Sequence, residues 1–129
     1  MATRPIGPLV DLLKTLGHPA RLRILALLRG GELCVCQINA VIGLAASTVS
    51  EHLTELRRAG LLTERKEGRW VYYELRPKAG LEDLMEVLWP HLDETQQVKV
   101  DLKEARIVRK TPLGAICGWD KPKRTAVKA

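Results

Sequence analysis

LCVCQINAVIGLAASTVSEHLTELRRAGLLTERKEGRWVYYEL, residues 33–75, decides how this chain folds. A short apolar-periodic segment, roughly Val35 to Ile42, runs up to Gly43, a residue suited to ending a helix. A tight turn follows, then a longer helical pattern starting near Ala45 or Ala46 and reaching Ala59. In it Val49, Leu53 and Leu56 recur at i, i+4 and i+7 and must face inward. Two strand-like runs close the stretch, Leu62 to Lys66 and Trp70 to Leu75, joined through Glu67-Gly68-Arg69. The second alternates, with Trp70, Tyr72 and Glu74 on one face and Val71, Tyr73 and Leu75 on the other. Helix, turn, helix and hairpin in that order predict a winged helix-turn-helix. The fold is mainly α with a β-hairpin, and its second helix enters the DNA major groove.

The inward stripe turns Ser47, Thr48, Ser50, Glu51, Thr54 and Arg58 outward or sideways. Small hydroxyls near a helix start reach base edges and phosphates closely. The same Ser and Thr also cap helices, and both roles hold together, because the amino-terminal turn of a recognition helix is the part that enters the groove. His52 lies at the edge of the buried stripe, set either to touch phosphate or to pack. Arg65, Lys66 and Arg69 crowd the hairpin tip, where basic side chains beside a recognition helix usually grip the backbone. The expected partner is double-stranded operator DNA. Its expected contacts are Ser47, Thr48, Ser50, Glu51, His52, Thr54, Arg58, Lys66, Arg69 and Tyr72.

Upstream, Pro8 opens a helix on which Leu9, Leu12, Leu13 and Leu16 fall at helical spacing, ended by Gly17. Pro19 opens a second, mostly buried helix closed by Gly30-Gly31. His18, just before a proline, reads as a cap or packing residue rather than a ligand. Downstream, Leu81, Leu84, Met85, Leu88 and Leu92 form a heptad-like stripe interrupted by Pro90, whose ring displaces the carbonyl of Glu86. Such a face is core or dimer seam. Paired with the leucine-rich first helix, dimer seam is the better reading, and it predicts a homodimer formed through the first and last helices. From Lys103 onward no period is sustained, and Pro112, Gly114, Gly118 and Pro122 punctuate the chain. The expected organisation is a DNA-binding and dimerisation domain over 1–102 and a basic, flexible tail over 103–129.

At 129 residues the chain is one domain. Hydrophobic content is 46% with no Phe, so Leu, Ile and Val must supply most of the core. No apolar run approaches the ~20 residues of a membrane span. The start, MATRPIGPLVDLLK, lacks the layout of a secretion signal, so a cytoplasmic location is expected. Three cysteines, two of them separated by one residue, do not make a disulfide framework. The net charge of +6 resides from Lys103 onward, with eight Lys/Arg against two acids; the rest of the chain balances. Within that rest, Arg57 to Arg76 holds six basic residues against three acids, and Glu82 to Asp101 six acids against one Lys. A basic wing and tail suit a polyanion, or equally solubility. No nucleophile–base pair, P-loop or dinucleotide fingerprint occurs, so an enzyme is not expected and no cofactor is needed for DNA binding.

Between about Leu13 and Leu92 the chain resembles the ArsR/SmtB family of metal- and metalloid-sensing repressors. The resemblance rests on LGHPARLRILALL near the start, ELCVC at 32–36, STVSEHL at 47–53, LRRAGLL at 56–62 and EGRWVYYEL at 67–75. ELCVC further resembles the arsenic-responsive branch. That resemblance implies that As(III) or Sb(III) binds the thiolates of Cys34 and Cys36 and releases the repressor from its operator. Four departures matter. Asn39 stands where that branch often has a third Cys, and no Cys precedes Cys34 as in cadmium and lead sensors. His91 and Glu94 match half of the zinc and nickel pattern, but Lys78 and Gly80 stand where its Asp and His should be. Ala45 replaces a frequent capping Ser. Trivalent arsenic in this family resembles a trigonal pyramid of sulfurs, and Cys117 is the cysteine left to complete it. Its segment TPLGAICGWD is Gly-rich enough to fold back onto Cys34 and Cys36 of its own or the partner subunit, with Trp119 shielding the site. Closure entropy grows slowly with loop length, so the reach is no obstacle. Alternatively, Cys117 is incidental and two thiolates plus a solvent oxygen suffice.

Cysteines at i and i+2 of an intact helix point about 200° apart, so one ion would have to unwind the first turn of the helix to hold both. Two soft thiolates select a thiophilic ion. The ordinary alternative is that Cys34 and Cys36 are small apolar residues. Two rivals use redox chemistry instead: a repressor whose signal is a disulfide, and a thiol-redox protein using the Cys-x-Cys pair. The latter lacks the strand–helix context and the C-x-x-C spacing of thioredoxin-like chemistry.

Overall fold

The computed structural model describes residues 4–117. Its first helix, α1 (Gly7–Leu16), has proline in its first turn, and α2 (Pro19–Leu28) starts on Pro19, where the missing amide costs nothing. His18 caps α2, accepting from the Ala20 amide at 3.3 Å. From Ile24 to Leu28 every side chain of α2 is buried, which makes α2 the axle of the core. A two-residue strand, β1 (Leu33–Cys34), leads directly into α3 (Val35–Ile42). Gly43 ends α3 with φ 78°, a left-handed conformation that favours glycine. The recognition helix α4 (Ala46–Arg58) follows and buries Val49, Leu53 and Leu56, the expected stripe.

The hairpin of β2 (Leu62–Glu67) and β3 (Trp70–Leu75) forms as expected, in antiparallel register from Leu62 opposite Leu75 to Glu67 opposite Trp70. It is part of a three-stranded sheet of order β1-β3-β2, in which Leu33 pairs with Tyr73 and Cys34 with Tyr72. The third strand escapes a sequence reading because two residues carry no alternation. Beyond the sheet, α5 (Glu82–Asp93) runs through Pro90 and ends three residues later. It places Met85, Trp89 and Leu92 in the core of this same chain, and Leu81, Leu84 and Leu88 pack partly against it. By contrast α1 leaves Leu9 and Leu13 more than half exposed, with Ile6 beside them. No helix among the described residues is long and apolar enough to cross a membrane.

The structure departs from expectation after residue 95. Instead of a flexible tail from Lys103, a fifteen-residue helix, α6 (Gln96–Lys110), continues through the expected boundary, followed by α7 (Leu113–Cys117). Thr95 caps α6 by accepting from the Val98 amide. The buried stripe of α6 is Val98, Asp101, Ala105 and Val108, helically spaced but with a carboxylate at its centre, which hides it from a hydrophobicity reading. Arg23 of α2 makes that burial tolerable. Its Nε and Nη2 donate to both oxygens of Asp101 at 2.7 and 3.0 Å, and Gln97 adds a third hydrogen bond. The fork-to-fork pair holds the Arg23 pKa above its ordinary value, first through the hydrogen bonds to Asp101. The same Nη2 reaches the carbonyl of Ile42, the last residue of α3.

Further along, Arg109 donates to the carbonyls of Gly31 and Leu27, closing the end of α2. A β-carbon at Gly30 would lie 2.7 Å from the Arg109 guanidinium, so a larger residue there would require that side chain to shift. With Asp101 near the end of α3 and Cys117 at its beginning, α6 runs antiparallel along α3.

Removing the partner of a buried charge costs about 3–5 kcal/mol, whereas replacing the pair by apolar groups is often neutral. Asp101→Ala should therefore destabilise the fold toward the lower end of that range, because the Arg23 side chain keeps 20% exposure. The Arg23→Met/Asp101→Leu double variant should recover most of the loss in a urea titration.

Candidate thiol centre and nucleic-acid interface

Cys34 is the last residue of β1 and the N-cap of α3, with φ −73° and ψ 151°. Its amide donates to Gln37 Oε1 at 2.7 Å, half of a capping-box arrangement. Cys36 lies in the first turn of α3, half-buried, and its Sγ is 3.5 Å from that of Cys34. The expected 200° divergence does not arise, because Cys34 is extended rather than helical and swings its thiol to the side that Cys36 faces. No unwinding of α3 is needed to bring the two together.

Cys117, at the end of α7, completes the group: the three Sγ atoms lie within 4.8 Å of one another. Cys36 and Cys117 are placed as a disulfide, with Cα atoms 5.3 Å apart. Among the described residues this is the one cluster of three or more Cys, His, Asp or Glu groups whose ligand atoms converge. A soft ion about 2.3 Å from each thiolate spans sulfurs up to about 4.6 Å apart, so the reduced cluster fits one with small side-chain rotations. Trp119, expected to shield the site, lies outside the described residues.

The cluster is joined to the wing. Tyr72, opposite Cys34 in the sheet, has its pKa pushed up by burial and then by the neighbouring Cys34. Arg65 stacks 4.5 Å over the Tyr72 ring and bonds both Glu32 and Glu67. Glu32, the residue before β1, holds Arg65 to the strand carrying Cys34, and Glu67 lies on Arg65's own strand. Arg65, expected with Lys66 and Arg69 at the hairpin tip, instead lies opposite Tyr72 and pairs with Glu32, a pairing that follows from the unseen β1.

On the recognition helix, Ser47, Ser50 and Glu51 are exposed and Thr48 and Thr54 half-buried. Arg58 is exposed and pairs with Glu55 at 3.0 Å. Lys66 and Arg69 are exposed beside the hairpin turn, and Tyr72 is half-buried away from it. Ala45 caps α4 without a side-chain hydrogen bond, as its residue type requires. His52 is misplaced in the expected DNA-facing set. It is 5% exposed, accepts from Arg21 Nε through Nδ1 at 3.1 Å, and its ring centroid is 4.3 Å from that of His18. Its sequence position at the stripe edge was resolved inward because α2 supplies both a donor and a ring. One more α3 feature stands out: Asn39 Oδ1, one turn beyond Cys36, is buried without a hydrogen-bond partner.

These features define the class, a winged helix-turn-helix regulator carrying a thiol cluster. Residues 18–64 match the family model described as bacterial regulatory protein, arsR family. The Arsenic resistance transcriptional regulator ArsR1 of Pseudomonas putida is 44% identical over 66 residues, which are 50% of this chain and 52% of that protein. The chain thus spans about half the length of this curated relative. The reduced HlyU structure from Vibrio cholerae is 35% identical with TM-score 0.58, covering 66% of this chain and 88% of that one. The homodimeric winged helix-turn-helix DNA-binding domain of Mycobacterium bovis Mb0332 is 28% identical with TM-score 0.60, covering 74% and 94%. The chain belongs to the ArsR family of bacterial regulatory proteins.

Burial, then the nearby His18 and Arg21, hold the His52 pKa below its ordinary value. The unfolded chain therefore takes up this proton at about pH 6.5 while the folded chain does not. His52 thus contributes stability in full above that pH, and the contribution falls as pH drops toward the folded pKa. The melting temperature should decline between about pH 7 and 5, and His52→Gln, which can still accept from Arg21, should flatten that slope.

Proposed function

We propose that this chain is a repressor that leaves its operator when trivalent arsenic or antimony binds Cys34, Cys36 and Cys117. The observation that carries this reading is the convergence of three cysteine sulfurs within 4.8 Å, two at the start of α3 and one at the end of α7. Three sulfurs favour a soft, thiophilic ion over hard cations. Arsenous acid would exchange three hydroxyls for three sulfurs, each thiol proton leaving with a hydroxyl as water. The relative named as an arsenic resistance regulator supports the same inducer.

The route from ion to DNA runs through shared backbone. Cys34 is at once a strand residue paired to the wing and the cap of the helix that buttresses α4. Locking its thiol together with those of Cys36 and Cys117 would fix the one residue that the β1–β3 ladder and the start of α3 share. Ion and DNA must weaken each other by the same factor, typically worth ~1–3 kcal/mol. On the DNA side we assign Ser47, Thr48, Ser50, Glu51 and Thr54 to base edges and nearby phosphates, and Arg58, Lys66 and Arg69 to the backbone. Tyr72 supports Arg65 and lies next to the wing contact. The working unit is a homodimer, as in the Mycobacterium bovis domain, with the exposed apolar face of α1 and the outer side of α5 at its seam.

A second reading is favoured by one observation, the disulfide placement of Cys36 and Cys117. Oxidation by a peroxide would remove two electrons and two protons from the two thiols and reduce the peroxide to two waters. The signal would then be the S–S bond, with no ion.

X-ray absorption on the reduced protein with arsenite decides between them. Three sulfurs around arsenic in the wild type and two in Cys117→Ser are expected, together with arsenite-driven DNA release that Cys34→Ser or Cys36→Ser abolishes without weakening DNA binding. Release by peroxide but not by arsenite would replace the first reading by the second. In gel shifts, Lys66→Ala should weaken all sequences alike, whereas Ser50→Ala should change which sequences are preferred.

A further inference from the structure

The helix that delivers Cys117 carries a row of charge that neither reading uses. Lys99, Lys103, Arg106 and Lys110 lie on α6. At about 100° per residue they fall within an arc of about 60°. The arc is opposite the buried stripe of Val98, Asp101, Ala105 and Val108, and all four basic side chains are exposed. Among the described residues no carboxylate is ion-paired to any of them. The two acids of α6 do not neutralise the row. Asp101 is buried against Arg23, and Glu104 lies about 100° round the helix from Lys103. Two of the spacings, Lys99 to Lys103 and Arg106 to Lys110, set like charges at i, i+4, which works against the helix. A face serving only solubility mixes signs; this one does not.

The mount is rigid and oriented. Arg23 ties Asp101 to the carbonyl of Ile42, just ahead of the turn into α4, and Arg109 ties the other end of α6 to the end of α2. The row therefore keeps a fixed position relative to the recognition helix. Its length of about 16 Å, at 1.5 Å per residue, matches several successive phosphates along a duplex.

We propose that the α6 row grips backbone phosphates of the DNA flanking the segment that α4 reads. This rests on the DNA-binding reading of the fold and adds a second electrostatic contact outside the winged helix-turn-helix. The helix that carries this contact leads into α7, which ends on the third cysteine.

The test uses the full chain and a 40-base-pair duplex selected from a random pool by the wild-type protein. Failure to select any duplex would sink the DNA reading itself, not this one. With the duplex in hand, affinity is measured against salt for wild type and for Lys99→Gln/Lys103→Gln/Arg106→Gln/Lys110→Gln. The same is done on a duplex trimmed to the protected core. Gln is a good helix former, so the variant should keep its fold. The salt slope should fall by about 0.9 for each phosphate no longer neutralised, and affinity at 0.2 M salt should drop at least tenfold on the long duplex. On the trimmed duplex the two proteins should bind alike. Equal slopes on the long duplex, or the same deficit on both duplexes, would overturn the proposal.

Discussion

The guanidinium of Arg23 is the joint on which the arrangement depends. Two of its nitrogens hold the buried carboxylate of Asp101, and one of these also bonds the last carbonyl of α3. Without Arg23 the centre of α6 would carry an uncompensated buried charge, which works against α6 lying along α3. If α6 did not lie there, α7 would not bring Cys117 to the mouth of α3. A contact between α2 and α6 thus determines whether a thiol centre exists some distance away.

The winged helix-turn-helix was legible in residues 33–75 because its signals are local. Glycine ends α3, a period-3.6 stripe runs through α4, and period-2 alternation marks β3. Cys34, Cys36 and Cys117 could be named for their chemistry, and the structure brings them together. What could not be read was how they meet. Helical geometry was applied to the two neighbouring cysteines, whereas Cys34 belongs to a two-residue strand defined by the pairing of Leu33 with Tyr73 and of Cys34 with Tyr72. Likewise α6 was invisible because its core-facing position is Asp101, and a carboxylate reads as surface until its arginine is found 78 residues away. His52 went astray for the same kind of reason, since its donor Arg21 and its ring neighbour His18 both come from the α2 region.

Placing a sensor at a helix cap that is also a strand end has a mechanical logic. A strand end and a helix start share one peptide unit at Cys34, so sheet and helix cannot shift independently there. On the proposed function, the wing would report through Tyr72 and Arg65 and the buttress helix through its first turn, both responding to the position of one sulfur.

The three sulfurs are also far apart in the order in which the chain is made and exposed to damage. Cys34 and Cys36 precede the recognition helix, while Cys117 ends α7, beyond the wing, α5 and α6. A molecule clipped after α6 would retain all of α4, the wing and the first two thiols, yet have no third. On the proposed function such a fragment would occupy its operator and be deaf to inducer. In a population of mixed dimers it would act dominantly, so on that function the integrity of α7 would govern release of the operator.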